Sequence, residues 1–399
     1  MGLGARKLRS GALHRVAPAS RGLAGVHALV LVGGRQEAER FGEYPLALLD
    51  VLGRSVLMRT LDRIRAAGVA EITVVSDTDP LPHPKSVTCK FSVASPQHFW
   101  DDALQKFRRL SRHSERVLVL RLGAWAEVDF AAMVNQHRDS GSAILRAYSP
   151  ANEALDVFVI SSGNQTEAAA LLRGELRDER IATAVHYCDG YVNLLATPAD
   201  LRALSLDAFA GECEIHPCGR ELRPGVWIGR GAHVHRCARV VAPAFIGDYC
   251  SVRRDAVITR GSSLEHHSEV DCATVIENSN VMPFTRVGAG LDVEHSIVGF
   301  RQVHSVPREL TVNIEDPHLI GATTTDISVR LIAGLSWLIN LLPTIGWRLI
   351  FGSRTETNLG SPSEAMSQIS AMPDAALAPV ESQTKSYREM AAGRRYGNE

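Results

Sequence analysis

Short apolar runs alternate with helix-like segments over the first half of the chain. Val26–Val32 is an apolar run that ends at two glycines, as a buried parallel strand does. Residues 55–67 place three aliphatic side chains at helical spacing and end before Gly68. The alternation predicts βαβ units and a parallel-rich sheet, so we expect 26–205 to form one α/β domain. Further strands are predicted at 71–75, 116–122 and 143–148, and further helices at 101–113 and 130–140.

Aliphatic residues recur at every sixth position in the second half of the chain. A mostly small residue follows each of them four places later. A period of six is neither helical nor alternating, and it is typical of a parallel β-helix whose aliphatic residues point into a three-sided prism. We therefore predict a linker at 206–225 and a hexapeptide β-helix at 226–320, with a turn or insertion where the phase shifts after Met282 and Val287 and Val293 continue. The repeating residues are Ile228, Val234, Val240, Ile246, Val252, Ile258, Leu264, Val270, Ile276 and Met282.

An apolar segment follows the repeats. Residues 331–347 are 17 residues without a charge, at the lower limit for a membrane span, but polar side chains recur along one stripe of the predicted helix. Three placements of 327–351 remain open: a helix docked on the protein or a twin subunit, a helix on a membrane surface, or a span. The tail, 352–399, is predicted to be disordered. Residues 1–25 have five basic and no acidic side chains, which indicates a disordered leader or a start codon placed too early.

Composition narrows the class of protein. The 399 residues include 43 basic and 44 acidic side chains, so the net charge of −1 gives no reason to expect nucleic-acid binding. A hydrophobic share of 45% is enough for a sizeable core. The seven cysteines include no Cys-x-x-Cys pair, which indicates reduced thiols in a cytoplasmic protein. We expect membrane association only through 327–351.

The glycine turn after the first strand opens a longer motif. Together with 128–143 and 190–201, this motif resembles the nucleotidyltransferase superfamily, which includes the sugar-1-phosphate nucleotidylyltransferases. A hexapeptide β-helix behind such a domain is similar to the arrangement of sugar-nucleotide pyrophosphorylases. The resemblance implies a Rossmann-like α/β domain followed by an all-β left-handed parallel β-helix, with a nucleotide or nucleotide-sugar as ligand. The matching residues are Gly33, Gly34, Arg40, Phe41, Gly42, Pro45, Leu48, Leu49, Gly53 and 68–72, and the resemblance implies nucleotide binding by Gly33, Gly34, Arg40 and Gly42.

The positions that carry catalysis in that family differ here. The lysine that follows the proline is replaced by Leu46, and the two metal-binding aspartates align with Gly123 and Leu194. Phosphoryl transfer needs cations and Mg²⁺ to stabilise the transition state. The resemblance therefore implies an eroded enzyme that acts as a nucleotide-sugar-binding, regulatory or assembly subunit in cell-surface polysaccharide synthesis. The alternative is an active transferase with Mg²⁺ as cofactor, for which Arg40 and Asp129 are the weak catalytic candidates.

A second enzyme class is suggested by the repeats. Hexapeptide acyltransferases use a histidine as general base, and His266 and His267 lie at a predicted corner of the repeat. We predict no metal site, since Cys213, His216 and Cys218 lack a fourth ligand at a convincing spacing. A stack of coils has broad faces and an open end, so we also predict a homo-oligomer formed through the β-helix.

Overall fold

The structure is a computed structural model that describes Leu23 and residues 25–33, 39–78, 89–177 and 182–323. Almost all of the predicted leader, Gly34, the segment 327–351 and the predicted tail lie outside these residues. Among the described residues, no helix combines the length and apolar character needed to cross a membrane. The fold is mixed α/β with several parallel sheets.

The first part of the chain is built on a seven-stranded sheet. The strands of this part of the chain are β1 (Val26–Val32), β2 (Arg40–Phe41), β3 (Tyr44–Pro45), β4 (Glu71–Ser76), β5 (Lys90–Val93), β6 (Arg116–Arg121), β7 (Trp125–Ala126), β8 (Ile144–Tyr148), β9 (Ala154–Ser161), β10 (Ala184–Tyr187) and β11 (Val192–Asn193). Strand β2 pairs with β3 and β7 pairs with β11, and the other seven form the large sheet. The helices are α1 (Val56–Ala66), α2 (Phe99–Leu110), α3 (Phe130–Ser140), α4 (Gln165–Arg173) and α5 (Pro198–Ala210), with a 3-10 turn at Leu46–Leu48.

The strand order is β10-β8-β9-β6-β1-β4-β5, with β1 at the centre of a parallel group. The predicted alternation of strands and helices is confirmed for β1, α1, β4, β6, α3 and β8. Strand β9 was not predicted, and it runs antiparallel to both β6 and β8. Apolar clusters cover both faces of the sheet, which is why its central strands are continuous aliphatic runs.

Local sequence explains where the helices begin. The Ser55 hydroxyl accepts a hydrogen bond from the backbone N–H of Met58 at the start of α1. Thr197 and Asp200 form a reciprocal capping box at the start of α5, with a proline in the first turn. Helix α5 continues to Ala210, past the predicted domain boundary at 205, so the predicted linker contains the last turn of a helix.

The second part of the chain is a coil in which the backbone returns to the same sheet every third strand. We call it the three-sheet coil, residues 226–322. Its strands and those that flank it are β12 (Arg220–Arg223), β13 (Val226–Ile228), β14 (His233–Val234), β15 (Arg239–Val240), β16 (Ala244–Ile246), β17 (Ser251–Val252), β18 (Val257–Thr259), β19 (Ser262–Leu264), β20 (Glu269–Val270), β21 (Val275–Glu277), β22 (Asn280–Val281), β23 (Thr285–Val287), β24 (Asp292–Glu294), β25 (Ser296–Gly299), β26 (Gln302–Ser305), β27 (Leu310–Asn313) and β28 (Ile320–Ala322), with a 3-10 turn at Val306–Arg308.

Three sheets form the sides of this coil, in the orders β12-β13-β16-β19-β22-β25-β26-β27, β14-β17-β20-β23-β28 and β15-β18-β21-β24. Strands three apart in the chain, such as β13 and β16, pair in parallel, while β12, β26, β27 and β28 pair antiparallel at the ends of the sheets. The predicted aliphatic positions other than Met282 belong to one apolar cluster inside the coil or pack against it.

The prediction for Met282 was wrong, and the register explains why. Ala244 pairs with Ser262, eighteen residues later, whereas Ser263 pairs with Asn280, seventeen residues later. The coil is therefore one residue shorter at this corner, and Val281 fills the interior position instead. Met282 is fully buried on the other side, among residues of the α/β part. The predicted continuation at Val287 and Val293 is confirmed.

One corner of the coil carries a stack of rings. Tyr249, His267 and Phe284 have left-handed backbones, with φ of 58°, 58° and 56°. The ring centroids of His267 lie 5.0 Å from those of both Tyr249 and Phe284. Gly231 has a similar backbone (φ 65°), and a Cβ there would lie 2.6 Å from the Tyr249 ring. Stacking between coils therefore offsets part of the cost of left-handed backbones in residues with side chains.

The eight-stranded sheet of the coil packs its outer face on the α/β part. Phe245, Met282 and Ile297 lie in one apolar cluster with residues of the α/β sheet and helices. Arg202 of α5 donates hydrogen bonds to the side chains of Asn278, at 2.6 Å, and Asn280. The two parts thus share a core and buried polar contacts.

Candidate functional site

A cavity of about 450 Å³ opens beside the end of β6, the strand next to β1. Ligands of α/β sheets bind outside the carboxyl ends of the parallel strands. The cavity is within the size range of small-molecule sites. Gly123 and Leu194 both line it, so the two positions at which the resemblance implies metal-binding aspartates come together around one space.

Arg121 takes up the room that a side chain at position 123 would need. A Cβ built on Gly123 would lie 2.4 Å from Nη2 of Arg121. The Arg121 side chain is 3% exposed and is held by ion pairs, so it cannot move aside cheaply. The space beside Gly123 is therefore occupied by the guanidinium group of Arg121.

Two carboxylates hold that guanidinium. Nε of Arg121 donates to Oδ2 of Asp156 at 2.8 Å, and Nη1 donates to Oε2 of Glu39 at 2.8 Å. Asp156 also pairs with Arg146 at 3.3 Å. Burial acts to lower the pKa of Arg121, but the hydrogen bond to Glu39 and the charge of Asp156 outweigh it and raise that pKa above its usual value. All four side chains line the cavity.

The predicted phosphate loop has an acidic neighbour. Gly33 has φ of 109°, and a Cβ there would lie 2.2 Å from the Asp77 carboxylate. Arg40 donates to Asp77 at 3.3 Å and to the Thr78 hydroxyl at 2.9 Å. The structure therefore brings Gly33 and Arg40 together, but around a carboxylate of the protein.

Gly42 is placed elsewhere. It lies in the turn between β2 and β3 with φ of 61°. A Cβ built on Gly42 would lie 3.4 Å from the Cβ of Phe300 in the coil. The neighbouring Tyr44 ring lies 4.7 Å from the Phe300 ring. Gly42 thus allows close packing between the two parts of the protein.

Leu46 stands where the resemblance implies a lysine, and its side chain is apolar and buried. Leu46 is 1% exposed. With Gly33, Arg40 and Gly123 it surrounds a space of only about 10 Å³, too small for a ligand. No cation extends from position 46 into the cavity.

The other catalytic candidates lie away from the cavity lining. Asp129 caps α3, where Oδ1 accepts hydrogen bonds from Ala131 and Ala132 at 2.9 Å. His266 is 8% exposed; its Nε2 lies 3.5 Å from Oδ2 of Asp50 and its Nδ1 lies 3.0 Å from Nδ1 of His267. His266 belongs to the contact between the coil and the α/β part.

The donor set does not fit Mg²⁺. Over the described ranges, no group of three His, Cys, Asp or Glu side chains could hold a metal ion. The two carboxylates at the cavity, Glu39 and Asp156, are engaged by arginines.

The chain matches no family model and no curated protein. The sequence-based reasoning missed Arg121, Glu39 and Asp156. A signal was present for Arg121, because it is a charged residue at the end of the otherwise aliphatic strand β6. A charge at the carboxyl end of a buried parallel strand indicates a site.

Proposed function

We propose that this protein is an NDP-sugar-pyrophosphorylase-like protein that binds a nucleotide-sugar or related nucleotide without transferring it. On this proposal the α/β part is a Rossmann-like nucleotidyltransferase domain, and the three-sheet coil is the left-handed parallel β-helix that the hexapeptide repeats imply. The protein would act as a regulatory or assembly subunit in the supply of nucleotide-sugars for cell-surface polysaccharides.

The pairing of Gly123 and Leu194 around one cavity carries this proposal. The cavity is in the place where the α/β fold binds ligands, and it keeps the size of a ligand site. The groups that would stabilise a phosphoryl-transfer transition state are replaced by a glycine and two leucines, at positions 123, 46 and 194. Binding without turnover fits both facts.

The acyltransferase alternative has less support. A general base must reach its substrate, and His266 is buried against Asp50. His267 stacks on Phe284, its ring planes inclined by 24°. These contacts give both histidines a role in holding the structure together.

The test is a ligand panel read out in two ways. Purified protein is mixed with NTPs and nucleotide-sugars, with Mg²⁺ or with EDTA, and its melting temperature is measured. Parallel samples with NTP, sugar 1-phosphate and Mg²⁺ are assayed for pyrophosphate. We expect a rise in Tm with at least one nucleotide-sugar, equally in EDTA, and no pyrophosphate. Pyrophosphate release would establish the active transferase instead, and a panel without any shift would overturn the binding proposal.

A further inference from the structure

Glu39 and Asp156 hold Arg121 in different ways. Asp156 is 10% exposed and bridges two buried guanidinium groups, those of Arg121 and Arg146. Glu39 is 25% exposed and its two carboxylate oxygens lie 2.8 Å and 3.5 Å from Nη1 and Nη2 of Arg121. Asp156 is thus part of the buried framework, whereas Glu39 reaches Arg121 from the rim of the cavity.

The balance of charge makes Glu39 more than a local contact. Arg121 and Arg146 are 3% and 5% exposed, so both cations are largely removed from water. Asp156 supplies one negative charge between them. Among the described residues that line the cavity, Glu39 supplies the second, and a buried cation that lost this partner would be less well compensated, which is unfavourable. The position opposite the Arg121 fork therefore calls for an anion.

We propose that this position is a phosphate subsite and that Glu39 occupies it as an internal substitute for a ligand phosphate. A phosphate group of a small ligand in the cavity replaces the Glu39 carboxylate on Arg121. Two oxygens of a phosphate match the guanidinium fork as a carboxylate does, and they carry more negative charge. This inference rests on the proposed function for the identity of the larger ligand, but it names the group that is bound and the side chain that competes with it.

Two consequences distinguish this subsite from the usual one in phosphoryl-transfer enzymes. Binding needs no divalent cation, because the guanidinium group supplies the positive charge. Affinity is also limited by competition, since the ligand must displace Glu39 before it reaches Arg121. Removing the charge of Glu39 should therefore strengthen phosphate binding, the reverse of what is expected for a residue that contacts a ligand favourably.

The experiment measures binding of inorganic phosphate and of glucose 1-phosphate by calorimetry in EDTA, with sodium chloride matched for ionic strength. Glu39→Gln should bind glucose 1-phosphate at least about tenfold more tightly than the wild type. Glu43→Gln is the matched control, because Glu43 lies four residues away and does not line the cavity; it should bind as the wild type does. The double variant Glu39→Gln/Arg121→Lys, which keeps the charge but loses the fork, should lose the gain.

A second measurement, the melting temperature of Glu39→Gln and the wild type, tests the subsite even if the double variant folds poorly. In the absence of phosphate, Glu39→Gln should melt below the wild type, because a buried cation has lost its partner. Inorganic phosphate should raise the Tm of Glu39→Gln more than that of the wild type. The subsite is overturned if Glu39→Gln binds phosphate within twofold of the wild type, or if phosphate stabilises both proteins equally.

The outcomes separate this inference from the proposed function. If no nucleotide-sugar binds but Glu39→Gln gains phosphate affinity, the proposed function fails and the subsite stands. If a nucleotide-sugar binds the wild type and Glu39→Gln equally, the subsite fails and the proposed function stands.

Discussion

The Glu265 carboxylate of the coil accepts a hydrogen bond from the backbone N–H of Gly53 in the α/β part, at 2.7 Å. Its other oxygen accepts from the N–H of Leu52 at 3.0 Å. Glu265 is fully buried, and so is the nearby Asp50. Burial, followed by the negative charge of Asp50, raises the pKa of Glu265 to about 8, although the two N–H donors act in the other direction. Below about pH 8 the folded protein therefore keeps a proton on Glu265, at the contact between the coil and the α/β part.

The raised pKa of Glu265 predicts that stability falls as the pH rises from about 4.5 to about 8. The pKa of Glu265 in the folded protein, about 8, lies above its usual 4.5. Between these values the folded state holds a proton that the unfolded chain has released, so the free energy of unfolding decreases as the pH rises. The contribution is complete below pH 4.5 and lost as the pH passes 8.

Glu265→Gln should flatten that dependence, because the amide does not titrate. One pKa unit is worth about 1.4 kcal/mol, so the wild type should lose more than this between pH 5 and 8 relative to the variant. Denaturant unfolding at a series of pH values measures it. Glu269→Gln, on the outer surface of the same coil and paired with Arg253, is the control and should keep the wild-type slope. Parallel curves for wild type and Glu265→Gln would contradict the prediction.

The contact between Arg121 and position 123 predicts a steric coupling. Gly123→Ala places a Cβ 2.4 Å from Nη2 of Arg121, so we expect it to cost about 1–3 kcal/mol of stability. In an Arg121→Lys background the penalty should shrink, because lysine lacks the fork that meets the new methyl group. A double-mutant cycle from urea unfolding gives the coupling energy. Gly163→Ala, where a Cβ would meet no atom within 4 Å, is the control. Additive effects would show that Arg121 is free to move aside.

The buried hydrogen bonds of Arg202 predict that the contact between α5 and the coil contributes to the stability of the protein. The side chain is 2% exposed, and burial lowers its pKa to about 10. Arg202→Ala removes its hydrogen bonds to Asn278 and Asn280 and leaves the buried amide oxygen of Asn280 without this donor. We expect a loss of about 2–3 kcal/mol, seen as a lower midpoint in urea. Arg254→Ala, at an exposed ion pair, should change the midpoint little. Equal effects from the two variants would refute a special role for Arg202.

The exposed edge of the coil tests the predicted self-association. Strand β27 ends the eight-stranded sheet, and its Leu310 and Val312 are 52% and 46% exposed. An edge strand with exposed apolar side chains can pair with a second copy. We expect light scattering to give at least a dimer, and Val312→Lys to shift it toward the monomer. Tyr187→Lys, at the exposed edge of the other large sheet, should leave the mass unchanged. A monomeric mass for the wild type at tens of micromolar protein would contradict the predicted self-association.

The coil could be predicted in detail because each repeat must solve the same packing problem. The interior holds one aliphatic residue per strand, so the period is visible at Ile246, Val252 and Ile258 without any structure. The sequence shows the one-residue shortening as a break in phase after Met282. In the structure the shortening lies before Val281. A break in the period shows that one turn of the coil has a different length. It does not show which of two neighbouring residues, here Val281 or Met282, points into the interior.

The cavity was harder to predict because its chemistry depends on charges that are distant in sequence. Glu39, Arg121 and Asp156 come from three separate stretches of the chain, the residue before β2, strand β6 and strand β9, and nothing local relates them. Gly123 and Leu194 were predicted to have lost metal binding by comparison with a family pattern, but no pattern named the arginine that adjoins them. Antiparallel β9, which carries Asp156, was also missing from the predicted sheet.

The covered face of the eight-stranded sheet fixes the number of coils. Repeat proteins whose units touch only their neighbours gain or lose whole units easily. Five neighbouring strands of this sheet, β13, β16, β19, β22 and β25, each bring a side chain to the α/β part, from within the strand or, for Glu265, from the residue directly after it, over a height of about 19 Å at the usual strand spacing. Duplicating one coil would shift every later contact by a full strand spacing and so separate these side chains from their partners in the α/β part. The five side chains are Trp227, Phe245, Glu265, Asn280 and Ile297.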